Sequence, residues 1–90
     1  MTLKKAQQEV TRLAKEKGFP IGKGDFLFLR TRIFEEMYEV SRATPNSSEY
    51  AEELTDVLIQ TIQALTAAGY DLEEEFKKKM AVNFKREWKK

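Results

Sequence analysis

The stretch from Phe26 to Arg42 constrains the fold most strongly, because it has a helical pattern and is apolar on two sides. With about 100° between successive residues, a helix here carries a main apolar stripe and a second stripe beside it. The main stripe consists of Phe26, Leu29, Ile33, Met37 and Val40, and the second of Leu27, Phe34 and Tyr38. A helix apolar over so much of its surface packs on more than one side. A chain of 90 residues buries only about 60–65% of its unfolded surface, so association is a natural source of further burial.

Helix start and stop signals divide the chain into four helical segments. We expect helices over about Thr2 to Lys17, Phe26 to Arg42, Glu49 to Ala68, and from Asp71 to around Lys85. The expected N-caps are Thr2, Asp25, Ser47 or Ser48, and Asp71, and the expected stops are Gly18 and Gly69. The sequence shows no strand pattern and no internal repeat. It therefore predicts one all-α domain over residues 1–90, a helical hairpin-type protomer.

Composition excludes several kinds of site. The chain has no cysteine and no histidine, so it lacks thiolate ligands, a cysteine nucleophile and the usual general base. Its 16 basic and 15 acidic residues give a net charge of +1, so no global field attracts nucleic acid or a membrane. No apolar run has the length of a membrane span, and the first residues lack the core of a signal peptide, so we expect a cytoplasmic protein. Catalysis must then use carboxylates, amines, hydroxyls or a hard metal ion.

Two pairs of acidic residues at helical spacing are the candidate functional groups. Glu36 and Glu39 lie along one line of the second helix at the border of its core stripe, whereas Glu35 points nearly opposite. Glu53 and Asp56 form a similar line on the third helix. With about one acidic residue in six, about two or three such pairs arise by chance. Spacing alone therefore favours an ordinary solvated helix face.

The position of these acids beside the core favours a cation site instead. Two carboxylates about 5 Å apart repel by about 0.8 kcal/mol in water, but by about 3 kcal/mol at an effective dielectric of about 20. Four of them in a partly buried groove would be unfavourable unless some are protonated or a cation lies among them. Carboxylates without histidine or cysteine suit Mg²⁺ or Mn²⁺, which prefer oxygen ligands and retain waters for a phosphate-bearing substrate.

The two acidic pairs resemble, in order and context, the MazG-type nucleotide pyrophosphohydrolases of the all-α NTP pyrophosphatase superfamily. The family pattern, E-x-x-E on one helix and E-x-x-D on the next, is matched by Glu36-Met-Tyr-Glu39 and Glu53-Leu-Thr-Asp56. The similarity covers nearly the whole chain, including IFEEMYEVSRA and EELTDVLIQTIQALTAAGYDLEEEF. It implies Mg²⁺-dependent hydrolysis of a nucleoside triphosphate to monophosphate and pyrophosphate, with Mn²⁺ as a substitute ion and housecleaning of modified nucleotides as one role. The implied metal ligands and catalytic residues are Glu36, Glu39, Glu53 and Asp56.

The resemblance also assigns roles to other residues. Arg32 stands where the family usually has lysine, and would either contact phosphate or pair with Glu36. Residues that grip the phosphates in the family match Lys79, Asn83 and Arg86. One departure is Tyr38, which replaces a glycine common in the first motif of relatives. Its bulk beside the ligands would alter pocket size, partner packing or substrate choice without removing a ligand.

The second helix is apolar on two sides, which predicts that it also packs against another chain. The simplest solution is a homodimer, or a dimer of dimers, in which hairpins from two chains complete a four-helix bundle, and the family resemblance points the same way. Two alternatives to an enzyme remain open: an inactive helical binding or regulatory module of the same fold, and a nucleic-acid binder using the basic segment 77–90. The acidic centre argues against nucleic acid as a partner. Aromatic residues of the loop and tail are expected to pack rather than to stack on bases, namely Phe19, Phe84 and Trp88.

Overall fold

A computed structural model describes residues 1–88, and in that range the chain is helical with no strand. The helices are α1 (Leu3–Lys17), α2 (Phe26–Arg42), α3 (Ser48–Ala67) and α4 (Leu72–Lys85), and a short 3₁₀ turn (Lys23–Asp25) precedes α2. The all-α prediction is confirmed, and each predicted boundary lies within one residue of the observed one. The last two residues of the basic segment, Lys89 and Lys90, lie outside the described residues.

Local capping explains where three of the helices begin. The side-chain oxygens of Thr2, Ser47 and Asp71 each accept a hydrogen bond from the backbone N–H three residues later, at 3.0–3.2 Å. Each bond satisfies a backbone donor that the first helical turn leaves without a partner. At the other end of α1, Gly18 has φ 71° and its N–H donates to the Ala14 carbonyl. This left-handed conformation suits glycine and ends the helix as predicted.

Asp25 does not cap α2 in the way predicted. Its carboxylate accepts the backbone N–H of Gly22 at 3.0 Å, and it makes no side-chain hydrogen bond to α2. Short acidic side chains readily bond to nearby loop backbone, and here that local bond closes the 3₁₀ turn. Asp25 therefore stabilises the entry loop rather than the first turn of the helix.

The α2–α3 hairpin forms the centre of the molecule. The two helices are joined by the short loop 43–47 and pack along each other, while α1 contacts α3, and α4 contacts both α1 and α3. The buried apolar residues are few and mostly small: Val10, Ala14, Leu29, Val40, Ala43, Ile62 and Ala67. A core this thin agrees with the small burial expected of a short chain. No helix among residues 1–88 has the length and apolar character needed to cross a membrane.

The residues of the two apolar stripes of α2 are buried to different extents. In the main stripe Leu29 and Val40 are buried, at 1% and 9% exposure. The second stripe (Leu27, Phe34 and Tyr38) stays 56–68% exposed. On α3, Leu54 and Leu58 from the predicted stripe are also 41% and 57% exposed. Phe26 and Met37 of the main stripe are also 61% and 47% exposed. Residues 1–88 therefore cover only part of the apolar surface of α2.

Hydrogen bonds from the Gln7 side chain link α1 to the end of α3 and to the turn between α3 and α4. Its Nε2 donates to Thr66 Oγ1 and to the Tyr70 carbonyl, both at 2.9 Å. Its Oε1 accepts the N–H of Leu72, the first residue of α4, at 2.8 Å. Each neutral hydrogen bond contributes about 1 kcal/mol net. One amide side chain thus fixes three helices relative to one another.

Candidate functional site

The two acidic motifs meet where α2 packs against α3. Oxygens of Glu36, Glu53 and Asp56 lie within 4.8 Å of one another, and we call these residues the acidic trio. Glu36 and Glu53 are partly buried, whereas Asp56 is exposed. The hairpin places the inner edges of its two helices side by side, so residues bordering each core stripe come together. Three of the four acids named from the sequence converge, and Glu39, which is exposed, lies outside the trio.

Crowding within this cluster perturbs one carboxyl group. The pKa of Glu53 is raised above its ordinary value of 4.5, first by partial burial and then by the charges of Asp56, Glu39, Glu36 and Glu49. Both effects disfavour the ionised form of a carboxyl group. Glu39 therefore acts electrostatically on Glu53 although its oxygens do not belong to the trio.

Arg32 is the cation at this cluster. Its Nη2 donates to Glu36 Oε1 at 2.9 Å and its Nη1 to Glu35 Oε2 at 3.0 Å. Of the two roles considered for Arg32, the structure contains the pair with Glu36. The side chain of Glu36 is only 14% exposed and that of Glu35 is 56% exposed. This contrast agrees with the sequence prediction, which placed Glu36 at the border of the core stripe and Glu35 nearly opposite.

A groove beside the trio is closed by α1 and by the loop that follows it. The groove has a volume of about 290 Å³. Its lining combines Arg32, Glu36 and Asp56 with apolar residues and with two amides, Gln60 and Gln63. Gln63 is buried and donates from Nε2 to the Pro20 carbonyl at 2.7 Å, so it anchors the 18–25 loop to α3.

Little in the sequence indicated that Gln60 and Gln63 would line a groove. Gln60 follows Asp56 by one turn, on the line of the second acidic pair, and Gln63 follows Gln60 by three residues within an otherwise apolar stretch. The role of Gln63 depends on a loop carbonyl 43 residues away. No local pattern predicts such a contact.

The residues expected to grip phosphate lie elsewhere on the single chain. Asn83 and Arg86 line a different hollow of about 310 Å³, and Lys79 is exposed on α4. Because α4 ends at Lys85, Arg86 lies just past the helix, with its guanidinium 4.3 Å from the centre of the Trp88 ring. The indole N–H of Trp88 donates to the Asn83 carbonyl at 3.1 Å. The helix therefore does not continue far enough to present the three expected residues on one face.

No protein-family model, curated protein or solved structure matches this chain. Any assignment to a class of protein therefore rests on the sequence motifs quoted above.

Proposed function

We propose that the protein is a Mg²⁺-dependent nucleotide pyrophosphohydrolase, which cleaves a nucleoside triphosphate to the monophosphate and pyrophosphate. The observation that carries the proposal is the convergence of Glu36, Glu53 and Asp56 from two helices onto one point. The order and context of the motifs that contain them, which resemble those of MazG-type enzymes, supply the reaction class.

The donor set of the acidic trio suits a hard divalent cation. All its donors are carboxylate oxygens, and the chain has no histidine or cysteine to favour a softer metal. Mg²⁺ and Mn²⁺ both prefer oxygen donors. The raised pKa of Glu53 reflects partial burial and the charges of neighbouring carboxylates, and a bound cation would offset both. The resemblance adds Glu39 to the proposed ligand set, and its charge also acts on Glu53.

When bound, the ion would supply positive charge to phosphate oxygens and make a coordinated water more acidic. The other roles, activation of the water and contact with the phosphate, are assigned to side chains of this protein. One of the four carboxylates orients the attacking water and accepts its proton, since the chain has no histidine to act as base. Arg32, already beside Glu36, donates N–H groups to a phosphate. The leaving pyrophosphate needs little covalent assistance from the protein beyond such positioning.

Further phosphate contacts are assigned to Lys79, Asn83 and Arg86. In the single chain Asn83 and Arg86 line a hollow separate from the acidic groove. A contact from them to phosphate therefore requires the last turn of α4 and the residue after it, from the same chain or a partner copy, to approach the trio. This requirement makes these three residues secondary to Arg32 in the proposed site.

The proposed assembly is a homodimer, or a dimer of dimers, formed across the exposed faces of α2 and α3. Six of the eight large apolar side chains of these helices that are 41–68% exposed are proposed to form the interface: Leu27, Phe34, Met37, Tyr38, Leu54 and Leu58. Together they present on the order of 500 Å². A standard interface buries about 800 Å² on each partner, so these residues would supply much of one.

Pyrophosphate release tests the proposed reaction. With Mg²⁺, the purified protein should release pyrophosphate, and not single phosphate, from at least one standard or modified nucleoside triphosphate. Glu36→Gln and Asp56→Asn should each lower kcat by at least about a hundredfold, because transition-state charge stabilisation is lost. Glu52→Gln is the matched control, since Glu52 adjoins Glu53, is exposed and lies outside the trio, and it should retain activity. Absence of release across a broad nucleotide panel, with Mg²⁺ and with Mn²⁺, would refute the reaction.

The inactive-module alternative has one observation in its favour. Arg32 already pairs with Glu36, so part of the acidic charge is neutralised without a metal ion. A protein of this kind would bind neither Mn²⁺ nor nucleotide at the trio. Replacement of Glu53 by glutamine would then leave its stability unchanged or improved, and no metal ion would alter that result.

A further inference from the structure

The groove beside the acidic trio has an apolar side that metal binding does not use. Leu13 of α1, Phe19 of the 18–25 loop and Ile59 of α3 line the groove together with Glu36 and Asp56. Leu13 and Phe19 stay 42% and 46% exposed although both are large and apolar. Small-molecule sites commonly combine an apolar wall with a few placed polar groups. The apolar side suits a flat ring, and the acidic side accepts an anionic group once a cation lies at the trio.

The loop that carries Phe19 is held in place from both sides. The Phe19 N–H donates to the Ala14 carbonyl at 2.8 Å, and the next residue, Pro20, accepts the Gln63 side chain at 2.7 Å. The exposure of the Phe19 ring is therefore a property of the folded loop. The expectation that Phe19 only packs does not account for this exposure.

Gln60 supplies a polar group at the same groove. Its Oε1 is buried and has no hydrogen-bond partner within residues 1–88. A buried carbonyl oxygen without a partner is unfavourable, so the site gains if a ligand group meets this amide. Rotation about the last side-chain bond is soft, which allows the amide to offer either its oxygen or its N–H groups to the groove.

We propose that the apolar side of the groove binds the nucleobase of the substrate, with Phe19 against the ring face and the Gln60 amide on the ring edge. The inference rests on the proposed function, which places the phosphates at the acidic trio and Arg32. Arg32 is the one cation among the described residues that line the groove, and it complements a triphosphate. An amide can both donate and accept, as base edges do, so Gln60 and Phe19 set base selectivity while the acids set reactivity.

Base selectivity tests the inference. We would measure kcat/KM for the four standard ribonucleoside triphosphates and for methyl triphosphate, which has no base. Phe19→Ala should lower kcat/KM for the preferred nucleotide about tenfold, chiefly through KM, because a ring contact is lost. Gln60→Met should reduce the ratio between the preferred base and the others. Hydrolysis of methyl triphosphate should be unchanged in both variants. Phe76→Ala, which truncates an α4 phenylalanine of similar exposure (49%), is the control and should preserve the ratios.

Binding provides a second measurement that does not depend on turnover. Without metal ion, titration with nucleosides, which carry the base but no phosphate charge to be repelled by the acidic trio, should shift the methyl NMR signals of Leu13 and Ile59, and Phe19→Ala should weaken this response. Unchanged nucleotide ratios in both variants, or an equal loss with methyl triphosphate, would overturn the base site. If the unmodified protein hydrolyses nothing, the proposed reaction fails, and the NMR titration then decides the base site alone: shifts at Leu13 and Ile59 support it and their absence refutes it.

Discussion

At Glu53, partial burial and the charges of Asp56, Glu39 and Glu36 act in the same direction, and all raise the pKa of the carboxyl group above 4.5. The folded protein therefore binds this proton more tightly than the unfolded chain does. Between the unfolded pKa and the raised folded value, the folded state holds more protons, so the free energy of unfolding falls as the pH rises through that window. The stabilisation is fully present below the unfolded pKa.

Replacing the Glu53 carboxylate with a neutral amide should relieve this crowding. In the presence of a chelator at pH 7, we expect Glu53→Gln to have a higher Tm than the unmodified protein. The difference should shrink as the pH falls through the raised pKa of Glu53, because the carboxyl group then takes up a proton and loses its charge. Thermal unfolding followed by circular dichroism over this pH range measures the effect, with Glu52→Gln as the exposed neighbouring control. A lower Tm for Glu53→Gln at pH 7 would mean that a favourable partner holds the ionised carboxylate.

Residue positions on a helix were predictable from the sequence, whereas their tertiary partners were not. Helical spacing placed Glu36 at the edge of the core and Glu35 away from it, and their side-chain exposures of 14% and 56% follow that order. Gln60 lies one helical turn after Asp56, on the same face of α3, but its contribution to the groove depends on α1 and the 18–25 loop. That contribution arises only when separate elements pack together.

At the scale of elements, local chemistry predicted the helices well. Thr2, Ser47 and Asp71 act as N-caps because a side-chain oxygen can satisfy a donor only three residues away. Asp25 stands at the predicted N-cap position of α2, but its side chain bonds to Gly22 instead, because an equally local bond was available in the preceding loop. Two short-range options of similar strength cannot be ranked from sequence alone.

The arrangement of the elements was less predictable. Gln7 holds α1 against the turn before α4 through groups 59 and 63 residues further along the chain. A polar residue on the first helix gives no sign of such distant partners. The α2–α3 hairpin was easier to predict, because a short loop between two amphipathic helices favours their packing as neighbours. This hairpin is also what brings the two acidic motifs together.

At the scale of the whole molecule, the exposed apolar surface of α2 and α3 is the feature that a single chain leaves unexplained. The second stripe of α2 was predicted from the sequence to pack against a partner, and in the part of the chain that the structure describes its residues stay at least 56% exposed. An exposed apolar patch of this size is often a binding surface. A second copy of the chain is the cover that we propose.

Disruption of this surface should change the mass of the protein in solution. Light scattering coupled to size exclusion should give a dimer or tetramer for the unmodified protein. Phe34→Asp places a charge on a side chain that is 68% exposed in the single chain, and should give a monomer because burial of an unpaired charge is unfavourable. Gln8→Asp, the same new charge on exposed α1, should leave the mass unchanged. A monomeric unmodified protein at micromolar concentration would rule out the proposed assembly.

The central claim is that the acidic trio, with Glu39, holds a divalent cation, and direct Mn²⁺ titration is its most immediate test. Paramagnetic resonance of free Mn²⁺ measures binding without substrate or turnover. The unmodified protein should bind Mn²⁺ saturably, and Mg²⁺ should displace it. Glu36→Gln and Asp56→Asn should each weaken binding at least about tenfold, while Glu35→Gln should not. Failure of the unmodified protein to bind Mn²⁺, or equal binding by all four proteins, would contradict the claim.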